Sequence, residues 1–155
     1  MNRAIFAIFA MTTSSLTAAE IVAHRGFSAR APENTVAAFD LAWKSGTDAC
    51  ELDLQLTLDG EIVVIHDKDT QRTTSTMKVV KESTLAELRT LDAGSWKGAQ
   101  YAGERIPTLA ECLATLPSGT KRFFLEIKCG PEVVPVLARQ LEPWKARAAQ
   151  LCIIA

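Results

Sequence analysis

Short apolar runs alternate along this chain with stretches of helical period, and each apolar run ends in ionisable residues. Ile21-Val22-Ala23 runs into His24 and predicts a strand over 21–24. A second strand is expected over about 49–56, where Cys50, Leu52 and Leu54 alternate with Glu51, Asp53 and Gln55. The turn Leu58-Asp59-Gly60 then leads into an apolar run from Glu61 to His66, a strong hairpin signal. Further strands are expected over about 121–127 and from Leu151 to Ala155. Between them, Asn34-Thr35 opens an amphipathic helix with Val36, Phe39, Leu41 and Trp43 toward a core, stopped by Gly46. Residues 67–107 are polar and turn-rich, with one short helix opened by Thr84 and Glu87 at capping-box spacing. Thr108 and Glu111 repeat that box after Pro107, for a helix to about Leu116, and Gly130-Pro131 begin another to about Leu141.

Strands alternating with helices at this spacing imply right-handed crossovers and a parallel sheet, an α/β architecture of the barrel kind. An eight-stranded barrel needs ~250 residues, whereas the chain has 155. About the first half of a barrel is therefore expected, either truncated or completed by another chain.

Chemistry collects at the strand ends. The chain has 2 histidines, His24 and His66, each closing an apolar run. Glu51 and Asp53 stand two apart on one strand and so project to one face, and Glu126 and Lys128 repeat the spacing on another. Acids at alternate positions of otherwise apolar strands break the pattern of a barrel core, and such violations mark sites. Three carboxylates converging on one rim suit a hard divalent cation, Ca²⁺ or Mg²⁺, and disfavour structural zinc. Arg25 and Lys128 suit the oxygens of a phosphodiester. Two imidazoles near neutrality can divide proton removal and proton donation between them. Asp67 beside His66 carries less weight, because strand neighbours point apart. Glu33 is a weaker candidate, and Asn34 serves equally as a helix N-cap or as a support behind the acids.

Composition narrows the classes. A formal charge of −1 and no basic patch argue against nucleic acid or an anionic membrane as partner. The N-terminus reads as a secretory signal peptide over 1–19: Arg3, an apolar stretch from Ile5 to Met11, then small residues ahead of a cleavage site near Ala19. That stretch is far shorter than the ~20 residues a membrane span needs, so an exported protein, periplasmic or secreted, without stable membrane insertion is expected. Cys50, Cys112, Cys129 and Cys152 sit in strand and helix patterns and are expected as thiols more than disulfides.

The ordered segments His24-Arg25-Gly26, Pro32-Glu33-Asn34-Thr35, Glu51-Leu52-Asp53, Asp59-Gly60, His66-Asp67, Arg72-Thr73-Thr74, Leu91-Asp92-Ala93-Gly94, Ile106-Pro107-Thr108-Leu109 and Glu126-Ile127-Lys128 resemble the glycerophosphodiester phosphodiesterase family. The resemblance implies a TIM-type (β/α)8 barrel with a small insertion, about 57–106, in a domain over 20–155. Carried across, it makes Glu51, Asp53 and Glu126 ligands of one divalent cation, His24 and His66 the acid/base pair, and Arg25 and Lys128 the phosphate contacts. The implied reaction is hydrolysis of a small-molecule glycerophosphodiester to glycerol 3-phosphate and an alcohol, through attack by the neighbouring glycerol hydroxyl, with His66 as base and His24 as acid. A phospholipase-type phosphodiesterase on the same scaffold and a non-catalytic phosphodiester-binding remnant are the competing readings. With the later strands of the family absent from the sequence, the 155-residue chain alone is expected to be weakly active and prone to aggregate.

Overall fold

The computed structural model describes residues 19–155; the signal peptide expected over 1–19, Ala19 apart, lies outside the described residues. Strand β2 (Ala49–Leu56) is the spine of the sheet. On one side it pairs in parallel with β4 (Arg122–Ile127), which in turn pairs in parallel with β5 (Leu151–Ile154). Its other edge is shared by two strands. β1 (Val22–Ala23) runs parallel beside Ala49 and Cys50, and β3 (Ile62–Val64) returns antiparallel beside Leu54 to Leu56. The hairpin follows from Gly60, whose φ of +79° reverses the chain without steric cost.

Pleat alternation sorts the side chains. Cys50, Leu52 and Leu54 of β2 and Phe123 and Leu125 of β4 are fully buried against the helices, with Cys112 and Leu113 of α4 (Leu109–Ala114) and Val133 and Leu137 of α5 (Val133–Leu141). The helix α1 (Val36–Lys44) contributes Phe39 and Ala42 to this layer. Val36 and Leu41 of α1, expected in the core, are only partly covered; the face of α1 turned to the core is that of Phe39 and Ala42, while Ala38 packs on Gly26 of the loop after β1. Phe39 and Trp43 pack edge-on against Phe123, with centroids 5.3 and 5.2 Å away. The opposite face of the sheet carries Glu51, Asp53, Gln55 and Glu126, the interior of a partial (β/α)-type barrel. β1 and β5 form the outer edges of the main sheet path.

The segment after β3 builds a second, smaller core from Val63, Ile65, Val80, Leu88, Leu91, Ala93 and Ile106. It holds more helix than the pattern predicts: α2 (Gln71–Thr74) and 3₁₀ turns at Val80–Glu82 and Ala99–Tyr101 accompany α3 (Leu85–Leu88). These are single turns too short to leave a periodic signal. The capping boxes of Thr84 with Glu87 and Thr108 with Glu111 form as expected. All four cysteines are free, and burial pushes the Cys50 thiol up to about 12. Among the described residues no helix is long and apolar enough to cross a membrane.

Candidate active site

Three strand ends and one loop assemble the site. Glu51 and Asp53 share the inward face of β2, and parallel pairing sets Asp53 directly beside Glu126 of β4. Ligand oxygens of these three carboxylates lie within 4.8 Å of one another. Asp53 is fully buried and Glu51 is 6 % exposed. Burial, and then repulsion from Asp53 and Glu126, push the Glu51 carboxyl up to about 7. Glu51 Oε1 and Asp53 Oδ1 are buried without any hydrogen-bond partner. Such oxygens are costly to bury unless something positive meets them, and an all-carboxylate set is what a hard divalent cation prefers. The residues fit a cation.

The loop after β1 supplies the cationic and imidazole groups. Arg25 and Asn34 both adopt the left-handed conformation, each with φ +58°, a conformation that costs a non-glycine residue about 1 kcal/mol. Strain of this kind concentrates at functional positions, and here it turns the Arg25 N–H onto Glu51 Oε2 at 2.9 Å. The loop can bend there because Gly26, at φ +74°, packs on α1: a Cβ would lie 2.8 Å from Ala38. The Arg25 guanidinium lies inward, 2.9 Å from Glu33 and 3.3 Å from Asp53. The exposed His24 ring sits 3.7 Å from Glu51. Lys128 reaches Glu126 and lies 3.6 Å from Asp53 Oδ1. Its hydrogen bond, together with its charge, outweighs burial and lowers the Glu126 carboxyl below its ordinary value.

Asn34 is not the helix cap. Thr35 fills that position, accepting from the Ala38 N–H, while the buried Asn34 amide donates to Asp53 Oδ2 at 2.8 Å. This leaves Asp53 Oδ1 without a hydrogen bond, 3.6 Å from the Lys128 ammonium.

Asp67 is more than a bystander. The strand ends at Val64, so His66 and Asp67 lie in a bend where side-chain alternation no longer applies. Asp67 Oδ1 contacts His66 Nδ1 at 2.7 Å. Arg72, on α2, donates from Nε to Asp67 and from both terminal nitrogens to Glu33 at 2.8 Å. Gln55, the next inward residue on β2, donates to the His66 carbonyl at 3.2 Å. Neither Arg72 nor Gln55 is marked for these roles by a local pattern; only the Arg72-Thr73-Thr74 motif points to the first.

The profile of the glycerophosphoryl diester phosphodiesterase family matches residues 24–144. The chain belongs to this family. It is 48% identical over 123 residues to the glycerophosphodiester phosphodiesterase of Caldanaerobacter subterraneus, covering 78% of this chain and 50% of that one. It is 40% identical over 128 residues to the enzyme of that name from Bacillus subtilis, covering 77% and 43%. Among solved structures, a phosphodiesterase of Oleispira antarctica in complex with the product sn-glycerol-3-phosphate superposes with a TM-score of 0.81 at 36% identity, over 87% of this chain and 56% of that one. The glycerophosphodiester phosphodiesterase of Agrobacterium tumefaciens gives 0.75 at 37% identity, over 87% and 57%. The chain thus spans about half the length of the relatives it matches.

Proposed function

We propose that this site belongs to a cation-dependent phosphodiesterase that hydrolyses glycerophosphodiesters to glycerol 3-phosphate and an alcohol. One observation carries the reading: three carboxylates converge within 4.8 Å, with two of their buried oxygens lacking a hydrogen bond and the His24 ring 3.7 Å from Glu51. The product bound by the Oleispira antarctica phosphodiesterase supports the substrate class.

In this reading Glu51, Asp53 and Glu126 hold the cation, with Ca²⁺ favoured over Mg²⁺ because the protein is exported after removal of a leader over 1–19. When bound, the cation neutralises the phosphodiester and polarises it toward attack. Arg25 and Lys128 contribute positive charge for the non-bridging oxygens. A carboxylate at His66 Nδ1 favours the tautomer with its proton there, leaving Nε2 free to accept. This supports His66 as the base that takes the proton of the neighbouring glycerol hydroxyl. The exposed His24 then donates to the departing alkoxide, and the cyclic phosphate so formed is opened by water.

The test is release of glycerol 3-phosphate from glycerophosphocholine across a Ca²⁺ titration, comparing wild type with His24→Ala and His66→Ala. Each variant should lose about 100-fold or more in kcat, and chelation should abolish turnover. Equal rates in wild type and both variants, or no product at any Ca²⁺ concentration, would remove the reading.

A further inference from the structure

The rim that carries the acid cluster continues into a groove of about 560 Å³, a size typical of small-molecule sites. Its walls come from the end of β2 and its turn, from the segment after β3, and from the connection between β4 and α5. Gln55 and Lys128 belong to both the cluster and the groove. Gln55 stands two residues beyond Asp53 on the same face, and Lys128 holds Glu126. A diester whose phosphate rests against the cluster would extend its remaining substituent into this space.

The charge of the groove runs against that of the chain. Lys68, Lys81 and Lys128 line it and Glu132 is the single acid, in a protein of formal charge −1. Of the other lysines, Lys78 pairs with Glu87 at 3.5 Å, Lys121 with Asp48 at 3.6 Å and Lys97 donates to the Ser28 carbonyl, whereas Lys44 is exposed at the end of α1 without an ion pair among the described residues. Lys68 and Lys81 are exposed and make no ion pair among the described residues. Unpaired like charges lining one concave wall raise the local concentration of anions.

Resting on the phosphodiesterase reading above, we infer that this groove receives the alcohol moiety of the substrate and selects alcohols that carry an anion of their own over cationic ones such as choline. The recognised chemistry is a second phosphate or a carboxylate, met by the Lys68 and Lys81 ammonium groups.

Binding separates this inference from turnover. With the full chain carrying His66→Ala and saturated with Ca²⁺, so that the acid cluster holds its cation while hydrolysis does not consume ligand, calorimetry compares bis(glycerophospho)glycerol, glycerophosphoserine and glycerophosphocholine. The doubly anionic diester should bind about tenfold tighter than the choline diester at low salt, a preference that salt screens. Glycerophosphoserine distinguishes a carboxylate from a phosphate as the second anion. Lys68→Met with Lys81→Met should bring the three affinities together, circular dichroism confirming an unchanged fold. Equal affinities with both lysines in place, a preference that survives the double substitution, or no binding of the anionic diester would overturn the inference. Turnover of the choline diester with no anionic preference leaves the phosphodiesterase reading standing; anionic preference without turnover of any diester does the reverse.

Discussion

Asp67 fixes the His66 ring: Oδ1 lies 2.7 Å from Nδ1, and Arg72 holds the other carboxylate oxygen at 2.7 Å. A carboxylate behind an imidazole sets its tautomer and orientation, and losing such a support costs about 10- to 100-fold in function. Asp67→Asn should therefore lower kcat for glycerophosphocholine by about that factor, with KM nearly unchanged, because the amide keeps the shape of the contact but not its charge. An unchanged kcat would show that the ring keeps its orientation without the Asp67 carboxylate.

The same ion network should be visible in stability at low pH. Burial raises the Glu33 carboxyl, but the hydrogen bonds and charges of Arg72 and Arg25 outweigh it and leave the group below its ordinary value. Asp67 is lowered chiefly by Arg72. For a depressed carboxyl the stabilisation is present above the unfolded pKa, about 4, and disappears as pH falls through the lower folded value. Arg72→Ala should thus depress Tm near pH 7 and converge on wild type toward pH 2. A gap in Tm that persists unchanged in acid would mean that Arg72 acts through packing.

Glu51 reverses the sign. Its carboxyl is pushed up to about 7 by burial and by Asp53, so the folded chain without cation is penalised as pH rises from the unfolded value of about 4.3 and the group is forced to ionise. In EDTA the Glu51 contribution should lower Tm between pH 5 and pH 7.5. Saturating Ca²⁺ should raise Tm by an increment that grows with pH across the same window, as ligand linkage requires. Glu51→Gln should flatten the dependence in EDTA and weaken the Ca²⁺ increment. A Ca²⁺ increment independent of pH would assign the binding to other groups.

What could be read from the sequence was whatever repeats along it. β2, β4, α5 and β5 follow from alternation or helical period, and both capping boxes from a three-residue spacing. Glu51, Asp53 and Glu126 were legible because charges interrupt apolar strands. The contact of Asp67 with His66 escapes the pattern because strand alternation stops at Val64 and the chain bends beyond it. Arg72 and Gln55 act through partners distant in sequence, Glu33 being 39 residues from Arg72, and no local period records such contacts. Asn34 was ambiguous for a related reason: the left-handed backbone that excludes it from the cap position is a product of the folded loop.

That conformation makes Asn34 separable by substitution. Its amide donates to the fully buried Asp53 carboxylate at 2.8 Å, and its φ of +58° is one that asparagine tolerates better than other residues with a Cβ. Asn34→Ala removes a hydrogen bond to a buried charge, worth about 1.5–3 kcal/mol, and adds about 1 kcal/mol of backbone strain. Asn34→Gly removes the bond without the strain. Urea unfolding should rank wild type above Asn34→Gly above Asn34→Ala, the two variants differing by about 1 kcal/mol. Both should bind Ca²⁺ about 10- to 100-fold more weakly, since Asp53 loses the donor that orients its other oxygen. Equal Ca²⁺ affinity in all three proteins would show that the pairing with Glu126 across the sheet is enough to hold Asp53 in place.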